Sequence, residues 1–370
     1  MPRILILGTG PVQKDAVEIC CALGLEVFTC SNSGLGPAAA LADHVARIDI
    51  TDVSGVLEYV RQHQINLVYS IGSDLAMPTA CRVSQELALP TLVTLQTAFT
   101  CNSKPNLRAA LGQDFPGNVR YQVLDQPDPA RVSLPYPLVL KPADSQGGRG
   151  VNRLDSPDNL ALAFEQAIAF SRQGRVILEE WIPGPEFSLN LYLLAGQIVF
   201  SAVSDRRVWP QFAIGLVHSH QYPSGLSSAA QHRLLELAYS ACQRLDIRNG
   251  PAYFQIKYWQ DRLFLIEITP RLDGCHLWRL IRSASGVDLL RITFEHLLGH
   301  PPCPADFQPQ ALGSFQLEFT CQPPGQPALN LPAPPKATFS DYYYAPGEAV
   351  RRINGLLEKT GYFITAAEDV

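Results

Sequence analysis

The chain has 370 residues, of which 46% are hydrophobic and 17% charged. That length and balance give a globular protein with core enough for two or three packed layers or domains, and exclude a disordered chain. The formal net charge of −5 carries no basic excess, which argues against nucleic acid as a partner. No apolar run approaches the roughly 20 residues of a membrane span.

The stretch MPRILILGTG reaches a glycine turn after one strand's length and lacks a cleavage pattern, so a cytoplasmic protein without membrane association is expected. The nine cysteines form no C-x-x-C pair and fall mostly in apolar stretches. They read as small buried hydrophobes in a reducing compartment, not as a zinc or disulfide framework.

The predicted elements open with a strand over residues 3–7, branched and apolar as in a strand buried on both faces. Gly8-Thr9-Gly10-Pro11 turns the chain into a helix over 12–23 that Gly24 stops. Strands over 26–30, 45–50 and 67–71, with a helix over 53–62, continue a β-α-β rhythm that predicts a parallel, Rossmann-like sheet. The first turn is not a dinucleotide fingerprint. Gln13 stands where G-x-G-x-x-G needs its third glycine, and the second strand ends in Cys30-Ser31-Asn32 without a carboxylate for a ribose hydroxyl. The turn, and Ser73 with Asp74 after Ile71, remain candidates for holding part of a small anionic substrate, because open α/β sheets bind ligands at the carboxyl ends of their strands.

Near Thr100 the texture changes. Ser103 is placed as an N-cap, Lys104 and Pro105 open a first turn, and Gly112 closes a short helix. The proline-rich stretch 113–137 includes a predicted strand over 120–124. A short apolar strand then delivers Lys141 to a loop of small residues carrying Ser145, Gly147, Gly148 and Gly150. Glycines let successive backbone N–H groups line one concavity for phosphate oxygens, and a neighbouring lysine adds a positive point charge. The lysine precedes the glycines, so this is not the Walker A order; taken alone, the stretch also reads as an exposed hairpin loop.

A helix opening at Ser156-Pro157 and stopped by Gly174 follows, then a strand over 175–182 carrying Glu179, Glu180, Trp181 and Ile182 into Pro183-Gly184-Pro185. Strands over 186–194 and 197–203 form a hairpin around Ala195-Gly196. Residues 205–223 read as a long irregular segment with Arg206, Arg207, His218 and His220, which suit an ordinary surface loop as readily as a substrate entrance. A helix over 228–245, two antiparallel strands over 252–259 and 262–268, and a helix over 286–298 come next. Residues 303–335 read as loops between short strands, 342–344 as a strand, and 349–359 as a closing helix stopped by Gly361. Within the apolar run LFLIEITP, the carboxylate of Glu267 needs a partner.

This order of parts resembles the ATP-grasp superfamily, in particular its carboxylate–amine (amino-acid) ligase branch. The resemblance runs across nearly the whole chain. It implies an α/β (α+β) ATP-grasp fold with a Rossmann-like domain over 1–100, an ATP-grasp domain over 101–302 (lid subdomain about 132–183) and a small C-terminal region over 303–370, the catalytic and C-terminal part being an antiparallel sheet. By position, Lys104 resembles the first nucleotide lysine and Lys141 the second, on the lid strand. Residues 145–150 resemble the flap that closes on the β- and γ-phosphates. Glu179 to Ile182 match the hinge, with backbone groups of Trp181 or Ile182 reading the adenine edge, and Glu186 matches the ribose-binding residue. Glu267 matches the carboxylate that bridges the metal ions, and Arg271 the arginine that holds the acyl-phosphate.

Two positions depart from the pattern: Gln255 stands where the family carries an acidic residue, and Thr269 where it carries asparagine. Each offers an oxygen without charge, which leaves Glu267 the main burden of the metal. Ser73, Asp74, Arg206, Arg207 and His218, together with His276, Trp278 and Arg279 after Arg271, are the substrate-pocket candidates. The implied cofactors are ATP and Mg²⁺ (or Mn²⁺), the implied partners a small-molecule carboxylate and an amine, and a homodimer is the family expectation. The implied reaction forms an amide through an acyl-phosphate with release of ADP and phosphate. The alternatives are a bicarbonate-activating carboxylase on the same scaffold and a nucleotide-binding protein without turnover.

Overall fold

The computed structural model describes residues 1–209, 216–310, 313–353 and 357–367. The chain begins with β1 (Arg3–Leu7), α1 (Pro11–Ala22), β2 (Glu26–Cys30), β3 (His44–Ala46), α2 (Val53–Gln62) and β4 (Leu67–Tyr69). Their strands form a parallel sheet in the order β3-β2-β1-β4, as the sequence rhythm required. β3 is shorter than residues 45–50, because Asp49 accepts from the backbone N–H and hydroxyl of Thr51 at 2.7 and 2.6 Å and bends the chain out of the sheet. Gln13 fills the glycine turn: its amide donates to the Ile71 carbonyl at 2.7 Å and accepts from the Gly10 N–H at 3.0 Å. The turn therefore spends that donor internally instead of offering it to an anion.

Two helices absent from the expectation follow, α3 (Met77–Glu86) and α4 (Leu95–Asn102), then α5 (Lys104–Leu111). Ser103 precedes α5 without a side-chain capping bond; the helix start is tied instead by the Lys104 N–H donating to the Ala143 carbonyl at 2.9 Å. A second sheet is built from β5 (Tyr121–Leu124), β6 (Leu138–Pro142), β7 (Asn152–Leu154), α6 (Leu160–Ile168) and β8 (Val176–Glu180), with antiparallel order β5-β8-β6-β7. Leu160, Ala163, Phe164 and Ala167 of α6 pack on Leu138, Leu140, Val176 and Leu178. α6 ends at Ile168, so Gly174 (φ +63°) serves the turn into β8 and not the helix stop.

The remaining elements are β9 (Glu186–Leu194), β10 (Gln197–Val208), β11 (Val217–Tyr222), α7 (Ser228–Arg244), β12 (Gly250–Trp259), β13 (Arg262–Thr269), α8 (Leu277–Ser285), α9 (Leu289–Leu297), β14 (Phe315–Gln322), β15 (Ala337–Tyr342) and β16 (Glu358–Ala366). The strands make one antiparallel sheet in the order β13-β12-β9-β10-β11-β14-β16-β15. Alternation sorts its two faces. Leu189, Leu191 and Leu193 of β9 pack under α7, while Tyr192 faces the core shared by β1, α1, α8 and α9.

Four expectations fail here. Of the segment 205–223, residues 210–215 lie outside the described residues and the rest is not irregular: β10 runs to Val208 and β11 pairs with it, and the charged residues inside both strands break the apolar alternation. The closing helix over 349–359 is not formed by the described residues; β16 starts at Glu358 with Gly361 inside it, where an added Cβ would lie 2.5 Å from the Asp341 carbonyl oxygen. The strand placed at 342–344 ends at Tyr342, and an eight-residue strand crosses the stretch taken as loops between short strands. β14, β15 and β16 thereby share a sheet with the strands before them. No helix among the described residues is long and apolar enough to cross a membrane.

Candidate active site

Directly opposed residues in a sheet share a face, so register alone assembles two rows on the core side of the large sheet. One row is Lys257, Glu186, Arg206 and His220; the next is Glu267, Gln255, Ser188 and Ser204. The lid sheet brings Lys141 to the same cleft. Lys141 Nζ lies 2.5 Å from Glu179 Oε2, and Arg108 Nε lies 2.8 Å from Glu179 Oε1. Arg108 also donates to the Leu265 and Ile266 carbonyls at 2.6 and 2.9 Å, tying the lid strand to the strand that carries Glu267. Burial alone would raise the Glu179 carboxyl, but Arg108 and Lys141 outweigh it and hold the group at about 2. Arg108 was not among the residues selected from the sequence; its spacing of four from Lys104 on one helix was the available signal.

Lys104 Nζ donates to the Ser145 carbonyl at 2.5 Å, so the first lysine touches the flap backbone directly. Burial pushes its ammonium below the usual lysine range, while Glu267 works against that shift. Gly147, Gly148 and Gly150 all take positive φ, between 69° and 73°. Such a run directs backbone N–H groups inward, the geometry an anion needs. Gln146 in the flap accepts from the Asp74 N–H at 2.9 Å, which links the flap to the loop after β4.

At the hinge the Trp181 N–H is already donated to the Pro137 carbonyl at 3.1 Å, leaving Ile182 as the hinge residue for a base edge. Ile182 packs with Val119 and Phe264 as an apolar slot. Lys257 and Arg153 lie over the Trp181 ring, 4.9 and 4.6 Å from its centroid. Glu180 turns outward and pairs with Arg120 at 2.8 Å. Gly184 is required in the turn that follows, because an added Cβ would sit 2.3 Å from the Tyr258 carbonyl oxygen.

Glu186 is engaged by Arg206, by Lys257 at 3.4 Å and by the Gln255 amide at 2.9 Å. Burial raises its carboxyl, but Arg206 and Lys257 carry it below the usual range. Glu267, by contrast, makes no hydrogen bond or ion pair to a described residue. Thr269 is buried with its Oγ1 unpartnered, and the Gln255 amide nitrogen is spent on Glu186, which leaves that residue's carbonyl oxygen. These oxygens fit a hard divalent cation. Among the described residues there is no cluster of three or more His, Cys, Asp or Glu for a metal, and a Mg²⁺ held here would take further ligands from phosphate oxygens and water.

Arg271 is buried and pairs with Asp74, whose Oδ1 lies 2.8 and 2.7 Å from Nε and Nη2. Ser73 is buried beside it with its hydroxyl unpartnered. The other substrate candidates do not join this group. His276, Trp278 and Arg279 converge on the buried carboxylate of Asp15, at 2.8, 3.0 and 2.6 Å, and His276 stacks on Tyr362, so they lock α1 to α8. Arg207 is exposed beside Gln221, and His218 lies against Trp209 and Glu318. The nine cysteines form no disulfide.

A lysine-bearing lid with a glycine flap, a hinge, and an unengaged carboxylate and a buried arginine at the edge of an antiparallel sheet suit the charge of a nucleotide's phosphates and a metal ion. Residues 134–277 match the family model of the ATP-grasp domain. Over those residues the chain is similar to the ATP-grasp domain. It is 26% identical over 290 residues to the formate-dependent phosphoribosylglycinamide formyltransferase of Parasynechococcus marenigrum, covering 75% of this chain and 72% of that one. It is 26% identical over 184 residues to the D-alanine–D-alanine ligase of Pseudomonas putida, covering 45% of this chain and 54% of that one. The L-amino acid ligase of Bacillus licheniformis superposes with a TM-score of 0.81 at 18% identity, covering 99% of this chain and 93% of that one. By name these relatives are a formyltransferase and two ligases.

Proposed function

We propose that the enzyme joins a carboxylic acid to an amine, with an amino acid as one substrate, through an acyl-phosphate. The observation that carries this reading is the placement of unengaged Glu267 within electrostatic reach of both Lys104 and Arg271. That arrangement holds negative metal–nucleotide charge on one side and an anionic acyl centre on the other.

Lys104, Lys141 and the flap N–H groups hold the nucleotide phosphates, and Ile182 flanks the adenine. Glu267, with oxygens of Gln255 and Thr269, would hold Mg²⁺, which when bound neutralises phosphate charge. A substrate carboxylate oxygen attacks the γ-phosphorus; the bond to ADP breaks and an acyl-phosphate forms. The amine nitrogen then attacks the acyl carbon, the C–O bond to phosphate breaks, phosphate leaves and the nitrogen loses a proton. Arg271 meets the acyl-phosphate by exchanging its Asp74 partner for the substrate anion, since its fork suits a tetrahedral oxyanion centre. Flap closure keeps water from the activated acyl group.

The test is ADP release with Mg-ATP against pooled carboxylic acids and amino acids, with Glu267→Ala and Lys141→Ala beside the wild type. Release that needs one acid plus one amine, and falls about 100- to 1,000-fold in both variants, is the expected result. Release with bicarbonate alone would replace this reading by a carboxylase.

A further inference from the structure

The same sheet face holds polar groups that the chemistry above does not use. His220 is fully buried, and neither ring nitrogen makes a hydrogen bond to a described residue; only the Asp205 backbone lies near enough to assist a protonated ring. On the adjoining strand Ser204 is buried with its Oγ also unpartnered. Half-buried Lys359 reaches back from β16 so that its Nζ lies 3.4 Å from the Phe319 ring centroid and 3.5 Å from Cys275 Sγ. It forms no ion pair with a described carboxylate. Lys359 and Arg206 both act electrostatically on His220 and on Cys275, so these groups surround one region of the face. Arg206 is committed to Glu186. Buried polar atoms without partners are rare in folded proteins and ask for a ligand or a function.

We propose that Lys359, His220 and Ser204 form a subsite for a carboxylate that a substrate carries in addition to its reacting group; the proposal rests on the ligase reading above. The lysine supplies charge, and the neutral imidazole and the hydroxyl each supply one donor to the carboxylate oxygens. Position separates this group from the reaction centre. Four strand spacings lie between β13, which carries Glu267, and β11, which carries His220, on the order of 19 Å along the sheet. Cys275, beside Lys359, follows Arg271 by four residues, so one loop leads from the reacting acyl group to the anchor. The carboxylate has two chemical sources: the amine substrate, if it is an α-amino acid, or the acid substrate, if it is a dicarboxylate.

Matched pairs distinguish them. In the amine arm, alanine, leucine, phenylalanine and arginine are compared with ethylamine, isoamylamine, phenethylamine and agmatine. In the acid arm, succinate and glutarate are compared with propionate and butyrate. ADP release is read for wild type, Lys359→Met, Lys359→Arg and Ser204→Ala. The carboxylate-bearing member should be preferred about 10- to 100-fold in kcat/KM in one arm. Lys359→Met should erase that preference through KM, Lys359→Arg restore most of it, and Ser204→Ala weaken it with folding intact. A preference unchanged in Lys359→Met, or an equal loss for both members of each pair, overturns the anchor. If no pair releases ADP from the wild type, the ligase reading fails on its own. Thermal melting with each compound in Mg-ADP then judges the anchor: stabilisation by the carboxylate-bearing member that Lys359→Met abolishes supports it, and equal melting overturns it.

Discussion

Glu179 shows how one side chain can set a site without touching a substrate. Its two oxygens take Lys141 and Arg108 separately, and Arg108 carries the connection to β13 through two backbone carbonyls. Removing one partner of a buried pair leaves an uncompensated charge, so Arg108→Met should cost about 3–5 kcal/mol in urea unfolding. Arg120→Met, which removes the exposed partner of Glu180, should cost no more than about 1 kcal/mol in the same assay. Equal losses in the two variants would show that the Arg108 link is not what ties lid to sheet.

At the scale of elements, the flap and its glycines differ in what surrounds them. Gly148 has no atom within 4 Å of an added Cβ, whereas one at Gly150 would meet Phe170 and Pro142 at 2.9 Å. Gly148→Ala therefore pays only the left-handed backbone penalty, about 1–2 kcal/mol. It should raise KM for ATP by roughly 5- to 30-fold with only a small fall in melting temperature. Gly150→Ala adds a collision with the end of α6, so it should lower both ATP affinity and melting temperature. Titration of ATP beside a melting curve for each variant checks the contrast.

Across the whole molecule, two buried carboxylates join separate parts: Glu179 links lid to sheet, and Asp15 links the first sheet's helix to α8 through His276, Trp278 and Arg279. Burial raises the Asp15 carboxyl, but His276 and Arg279 prevail and hold it at about 2, against an ordinary 3.8. Glu179 is likewise held at about 2, against 4.5. For both groups the unfolded chain binds more protons, so their stabilisation is complete above about pH 5 and is lost as pH falls toward 2. Unfolding free energy should thus drop through that window. Asp15→Asn should flatten the drop while lowering stability near pH 7 by about 3 kcal/mol, because Arg279 and His276 lose their shared charge. A drop of the same slope in the variant would remove Asp15 from the account of acid sensitivity.

Local order along the chain was legible wherever one residue type has one physical use. β1, β2, α2, the hairpin of β9 and β10, and the β12–β13 pair follow from branched runs, caps and turn residues. Glu267 stands out because a charge within an apolar run needs a partner, and Lys141 with the flap glycines because together they suit an anion, whereas Lys104 and Arg271 are placed by the resemblance. What the chain order could not supply is which charges meet. Arg206 and His220 read as loop residues because an inward-facing polar side chain breaks the alternation that marks a strand, and only register places Arg206 beside Glu186 and His220 beside Arg206. His276 and Arg279 sit a few residues beyond Arg271, yet they are spent on Asp15, more than 250 positions away in the chain. Asp74 reaches Arg271 across 197 positions and Arg108 reaches Glu179 across 71. Spacing and composition report on neighbours within a turn or a strand. The pairing of distant charges depends on how the sheets and helices stack, and that is decided by burial summed over the whole core.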